Sequence, residues 1–252
     1  GFRAPQAFDE DLHIDNVGGT VSMIRLADDL RVEKSQSVSL SADLYHSWGD
    51  WQANVLVEGF YTDLHDVFAL KEIGFENGIL IKERHNESGA RVFGGNLEGK
   101  IAWRNIFQMQ LGLTATHSRY KEARAWSDDV QATRRMFRTP GLNGYMTASY
   151  NPMKQLTLAL SGTYTGKMLV EHHAGMIEAN TTVETPHFWD MGIKASYDFR
   201  LWQSCTLQLN AGVQNILNSF QKDFDHGADR DSGYIYGPTL PRCFYLGIKL
   251  NY

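Results

Sequence analysis

The chain has 252 residues, 21% charged and 42% hydrophobic, with a net charge of −5. That length is about the upper size of one domain. The acidic balance and the lack of a basic cluster give no sign of a nucleic-acid partner, and two cysteines suggest neither a disulfide framework nor a metal-binding spacing. No apolar run approaches the roughly eighteen residues of a transmembrane helix.

Residues 1–32 have no clean period. They carry Asp9, Glu10, Asp11, Asp15 and Gly18-Gly19 and read as a long exposed segment. A two-residue rhythm then begins, the period of a strand whose side chains alternate between faces. Val38, Leu40, Ala42, Leu44, His46 and Trp48 oppose a serine-rich face. After a turn at Gly49-Asp50, Trp51, Ala53, Val55, Val57, Gly59 and Tyr61 share one face. A polar stretch over 64–90 follows. Phe93, Gly95, Leu97, Gly99, Ile101 and Trp103 come next, then a turn at Arg104-Asn105, then Phe107, Met109, Leu111, Leu113 and Ala115.

A second long segment covers 118–140. Leu142, Gly144, Met146, Ala148 and Tyr150 lead to a turn at Asn151-Pro152, and Leu156, Leu158, Leu160, Gly162 and Tyr164 follow. After a third long segment, 167–186, come Trp189, Met191, Ile193, Ala195 and Tyr197. A turn near Arg200–Gln203 leads to Leu207, Leu209, Ala211 and Val213. A fourth long segment, 217–240, precedes Phe244, Leu246, Ile248, Leu250 and Tyr252.

The pattern predicts an all-β antiparallel meander of nine strands, with short and long connections in strict alternation. Aromatics cluster at the short-turn ends: Trp48, Trp51, Trp103, Phe107, Tyr150, Phe199, Trp202 and Tyr252. The second face is rich in Gln, Asn, Ser and Thr, too polar for a sandwich core. An apolar face, a wet face and an aromatic girdle together describe a transmembrane β-barrel wall. Cys205 and Cys243 fall at opposite ends of the final hairpin, about 30 Å apart at about 3.3 Å per residue, so no bridge is expected.

Several segments resemble TonB-dependent outer-membrane receptors, with a Bacteroidetes-like wording over Gly1 to His13. Gly1-Phe2-Arg3-Ala4-Pro5 is similar to a Phe-Arg-Ala-Pro box. Leu30-Arg31-Val32-Glu33-Lys34-Ser35 resembles a Leu-x-Pro-Glu-x-Ser stretch, with Val32 in place of Pro. Asn210 to Asn218 and the Gly237-Pro238 and Pro241-Arg242 pairs resemble the end of the family barrel. The resemblance implies the last nine strands of a plugged barrel of about 22 strands. Residues 1–32 would then be an extracellular loop segment and 33–252 strands and loops, the plug domain lying outside the chain. The chain begins without an initiator Met and reads as a fragment.

The implied function is import of a scarce metal chelate across the bacterial outer membrane. Iron-siderophore or cobalamin leads, with haem next. The implied partners are the chelate, outer-membrane lipid, and a TonB complex acting through the absent plug. No resident cofactor and no enzyme activity are implied. A passive porin or a barrel hydrolase is the alternative; the hydrolase would need a Ser-His or Asp-His pair at one rim, which strand alternation does not reveal.

Candidate ligand residues are few. His13 occupies the interval where haem receptors of the family ligate iron, and otherwise reads as a solvated loop histidine. His172 and His173, with Met176 nearby, suit a metal chelate or, by default, a plain surface loop. Arg124, Arg134 and Arg135 suit an anionic siderophore or the phosphates of lipopolysaccharide. Asp223, Asp225, Asp229 and Asp231 suit calcium or, more simply, a solvated acidic loop. Any bound metal stays unassigned.

Overall fold

The computed structural model describes residues 1–5, 22–202 and 205–252. Strands in chain order are β1 (Phe2–Arg3), β2 (Ser22–Leu26), β3 (Glu33–Trp48), β4 (Trp51–His65), β5 (Val67–Glu76), β6 (Ile79–Glu87), β7 (Ala90–Trp103) and β8 (Phe107–Arg124). They continue as β9 (Thr133–Arg135), β10 (Leu142–Met153), β11 (Leu156–Thr165), β12 (Leu169–His172), β13 (Thr181–Glu184), β14 (Phe188–Trp202), β15 (Cys205–Gln214) and β16 (Cys243–Asn251). The main sheet runs β1-β3-β4-β7-β8-β10-β11-β14-β15-β16, with β9 on β8. Every pairing in it is antiparallel. Nine long strands form the expected meander, and the sheet is open.

The register settles the faces. The row Leu44, Val55, Gly99, Leu111, Met146 crosses five strands in direct opposition. Tyr197, Leu209 and Ile248 continue the apolar side further along. This side is exposed in the isolated wall, with Leu40 at 82% and Leu246 at 87%. The opposite face carries the row Asn54, Lys100, Gln110, Thr147, Ser161. A sheet with one greasy and one wet face, with no second sheet packed on either among the described residues, is a barrel wall in lipid.

The wall's height fits a bilayer. On β4, Trp51 to Tyr61 spans ten residue steps, about 33 Å along the strand at about 3.3 Å each, or about 25 Å along the membrane normal at a tilt of about 40°. At its lower rim His46, Trp48, Trp51 and Trp103 stack in sequence, with centroids 5.5, 6.5 and 6.0 Å apart. This is the aromatic girdle.

The turns differ from expectation in two places. The turn after Trp103 spans three residues, Arg104 (φ +48), Asn105 and Ile106. Asn151-Pro152 is a bulge within β10, and the turn itself is Lys154-Gln155, with Met153 opposite Leu156. Proline has no N–H to give the ladder, and a bulge is where that costs least. At the final hairpin Gln214 opposes Cys243, and Thr206 opposes Asn251. Cys205 therefore sits beside Tyr252, a full strand away from Cys243, and both thiols are free.

The long connections hold more structure than their composition suggested. Stretch 64–90 is mostly a β-hairpin, β5–β6, closed by Asn77 (φ +52) and Gly78 (φ +82). β2, within the segment read as aperiodic, pairs parallel with β6. β12 and β13 form a second hairpin. The buried apolar cluster is here: Met168, Val170 and Tyr234, with Val183 and Tyr236 packed against it. The core of this piece lies in the loops, because the wall uses lipid and lumen as its two surroundings.

Candidate functional site

Two regions carry candidate side chains: the lumen face of the wall and a packed assembly of loops at its long-connection end.

The lumen face is a lateral hydrogen-bond lattice. Thr114 Oγ1 donates to Asn96 Oδ1 (2.8 Å), and Asn96 Nδ2 donates to Glu58 (2.8 Å). Gln110 Nε2 donates to Tyr145 Oη (2.7 Å), and Ser196 Oγ donates to Asn210 (2.7 Å). Tyr145 lies flat over Gly112, where an added Cβ would come within 2.2 Å of the ring. Lys100 and Lys194 line a concavity of about 610 Å³ along this face. Cross-strand pairing fixes these groups in place while leaving the surface wet, which suits passage of a polar solute.

Above it, three connections interlock. From 118–140, Arg138 donates to the carbonyls of Ile235 (3.0 Å) and Gly233 (2.5 Å), and Trp126 Nε1 donates to Thr182 Oγ1 (3.0 Å). Buried Gln221 bridges the fourth connection, donating to Tyr234 O (3.0 Å) and accepting from Tyr236 N (2.9 Å). His172 Nε2 donates to Asp225 Oδ1 (2.9 Å), and its ring lies 3.6 Å from Tyr234, nearly parallel at 6°. Asp225 also accepts from Asp231 N, while Asp231 accepts from His173 N and Gly233 N.

This places the acidic loop. Asp223, Asp225 and Asp231 are spent as acceptors that shape the loop. No grouping of metal-binding side chains occurs among the described residues. Asp223 accepts from both Tyr234 and Tyr236 (3.0 and 2.6 Å). Burial opposes its charge, yet the two phenol donors hold its carboxyl below the usual 3.8. Burial and the carboxylate together push the Tyr234 phenol up to about 12 and Tyr236 up as well. The sign follows from linkage. The Asp223 contribution is present above its unfolded pKa and is lost on acidification. The Tyr234 contribution is present below pH 10.0 and is lost as pH rises towards about 12. Alkaline titration of the intact receptor should therefore open the loop assembly only above pH 10.0, as read by tyrosinate absorbance together with loop hydrogen exchange.

The other candidates fall as follows. Arg124 pairs with Glu87 (2.9 Å) and lies over the Tyr120 ring (4.4 Å). Arg135 pairs with Glu184 (2.7 Å), and the guanidinium holds that carboxyl below its usual range. Arg134 is exposed on β9. His173 meets Trp126 edge to face at 4.7 Å. His13 lies outside the described residues. Arg124 and His173 come together in one loop pocket of about 310 Å³, with Arg3, Phe68, Arg84 and Trp126 and the carboxylates of Glu72, Glu87 and Glu171. Arg134, Arg135 and His172 do not line it. Trp126, Phe68 and Arg84 were missed from sequence; a lone Trp between Arg124 and Ser127 in a charged loop was the available signal.

The sequence matches the family model described as "TonB dependent receptor-like, beta-barrel" over residues 1–216. No curated protein sequence matches. Among solved structures, the chain is similar to the ferric enterobactin receptor PfeA from Pseudomonas aeruginosa (TM-score 0.54, 17% identity, 93% of this chain and 34% of that one). It is also similar to the FrpB iron transporter from Neisseria meningitidis (0.55, 17%, 91% and 33%). A third is the ferric-catecholate import receptor Fiu from E. coli K12 (0.58, 19%, 88% and 28%). At these identities the likeness is one of fold, and the chain spans about a third of each.

Proposed function

Since the chain belongs to the TonB-dependent receptor β-barrel family, a family of the bacterial outer membrane, we propose that the intact receptor captures a metal chelate at its outer mouth and imports it with TonB-supplied energy. The observation carrying this is the loop pocket where Arg3, Lys82, Arg84 and Arg124 meet Phe68, Trp126 and His173, with Glu72, Glu87 and Glu171 also in its wall. Guanidinium groups suit the anionic oxygens of a chelate, and the rings suit its aromatic or apolar arms. At about 310 Å³ the pocket holds part of a chelate, since drug-sized sites run from about 300 to 1,000 Å³. An iron-siderophore fits this chemistry first, with cobalamin and haem next. The lattice below would give the released chelate a polar path.

The hydrolase alternative has one feature to set against it. An Asp-His pair does exist in the loops, Asp225 with His172, but its side chains are 1% and 9% exposed and Tyr234 covers the imidazole. A substrate lipid has no access to it. A passive pore would conduct solutes without saturable binding.

Calorimetric titration of the intact receptor with a ferric catecholate, a ferric hydroxamate, cobalamin and haem tests the reading. One of the four should bind saturably. Arg124→Ala and Trp126→Ala should each weaken that binding about tenfold, as expected for central anchors worth at least about 1 kcal/mol. Absence of saturable binding, or unchanged affinity in both variants, would overturn it.

A further inference from the structure

The lipid-facing side of the wall changes character abruptly above the row Val38, Tyr61, Phe93, His117. One step up the strands, the outward row reads Gln36, Asp63, Arg91, Arg119, Arg135 in direct cross-strand register. One step further stand Lys34 and His65, paired on β3 and β4, with Lys121 joined to Gly89. Five cationic side chains are thus gathered where the apolar band of about 25 Å ends, at outer headgroup depth.

Three arginines directly opposite one another destabilise a sheet unless an anion sits among them. The wall supplies little. Asp63 is held by Lys121 (2.5 Å), with Arg91 further off at 3.7 Å, and Glu184 is taken by Arg135. Lys34 and Arg119 are exposed and, among the described residues, form no ion pair. The unfilled charge faces outward beside lipid, directly over exposed Tyr61 and Phe93. An ordinary solute anion would find no reason for the apolar row beneath.

We propose that this patch docks the phosphorylated headgroup of an outer-leaflet glycolipid, with acyl chains against Val38, Tyr61 and Phe93. Arginine forks take phosphate oxygens in pairs, and basic clusters at a membrane surface select anionic lipid. The site is on the lipid side of the wall, away from the mouth pocket. It depends on how the barrel sits in the membrane and not on what the receptor carries.

The test uses the intact receptor in mild detergent, with lipid A carrying its phosphates and the same lipid after phosphatase treatment. Bound copies are counted by native mass spectrometry. The phosphorylated form should bind at least about tenfold more tightly, and the Lys34→Gln, Arg91→Gln, Arg119→Gln triple variant should lose that preference. Arg91→Lys with Arg119→Lys should keep part of it. Equal binding of both forms by the unaltered receptor would overturn the proposal, and that comparison needs no variant to fold. Retained preference in the triple variant, or displacement of the lipid by equimolar inorganic phosphate, would overturn it too.

Discussion

Leu209→Arg and Leu111→Arg are each expected to lower the stability of the assembled barrel by about 2–4 kcal/mol. Both side chains stand on the outward face near mid-strand, Leu209 between Tyr197 and Ile248, Leu111 between Gly99 and Met146. A guanidinium there lies in hydrocarbon, several residues from either interface. The neighbouring change Gln208→Arg should cost far less. Gln208 faces the lumen and donates to Asp198 (2.8 Å), a carboxylate that an arginine can also pair. Urea titrations of the intact receptor folded into bilayers, followed by tryptophan fluorescence, give the comparison. If Gln208→Arg blocked assembly while the outward variants folded normally, the two faces would be reversed.

The second large effect is expected in the loops. Asp225→Ala removes the acceptor of His172 Nε2–H and of Asp231 N–H. Each unpaired buried group costs about 1–3 kcal/mol, so the loop assembly should lose about 3 kcal/mol. Asp225→Asn keeps one carbonyl oxygen and should lose less. The wall does not share these bonds and should keep its resistance to unfolding. Hydrogen exchange mass spectrometry separates the two: peptides over 168–185 and 221–240 should exchange faster, and peptides of β10 and β11 should not. Unchanged loop exchange would mean that the buried network holds nothing together.

The nine wall strands were legible because lipid and lumen impose opposite chemistry on alternate residues, and nothing else in the chain has that period. The loops obeyed other rules. Stretch 64–90 looked like polar filler because its strands alternate weakly, yet Asn77-Gly78 is the strongest short hairpin signal available. The Asn151-Pro152 pair looked like a turn and is a bulge, since proline is tolerated wherever the ladder skips a bond. The acidic cluster read as solvated or calcium-binding because sequence shows charge and not partners. Only the fold reveals that Tyr234, Tyr236, His172 and backbone N–H groups occupy those oxygens. Arg124 and His173 were visible as candidates, but nothing in their spacing placed them in one pocket, because they come from different loops.

Uptake of a radiolabelled ferric siderophore by cells carrying the intact receptor, with and without a working TonB complex, separates energised import from passive conduction. Saturable accumulation that stops when TonB is removed is expected, with binding at the cell surface retained and surface binding reduced in the Arg124→Ala receptor. Accumulation that continues undiminished without TonB, rising linearly with concentration, would contradict it and identify the barrel as a passive pore.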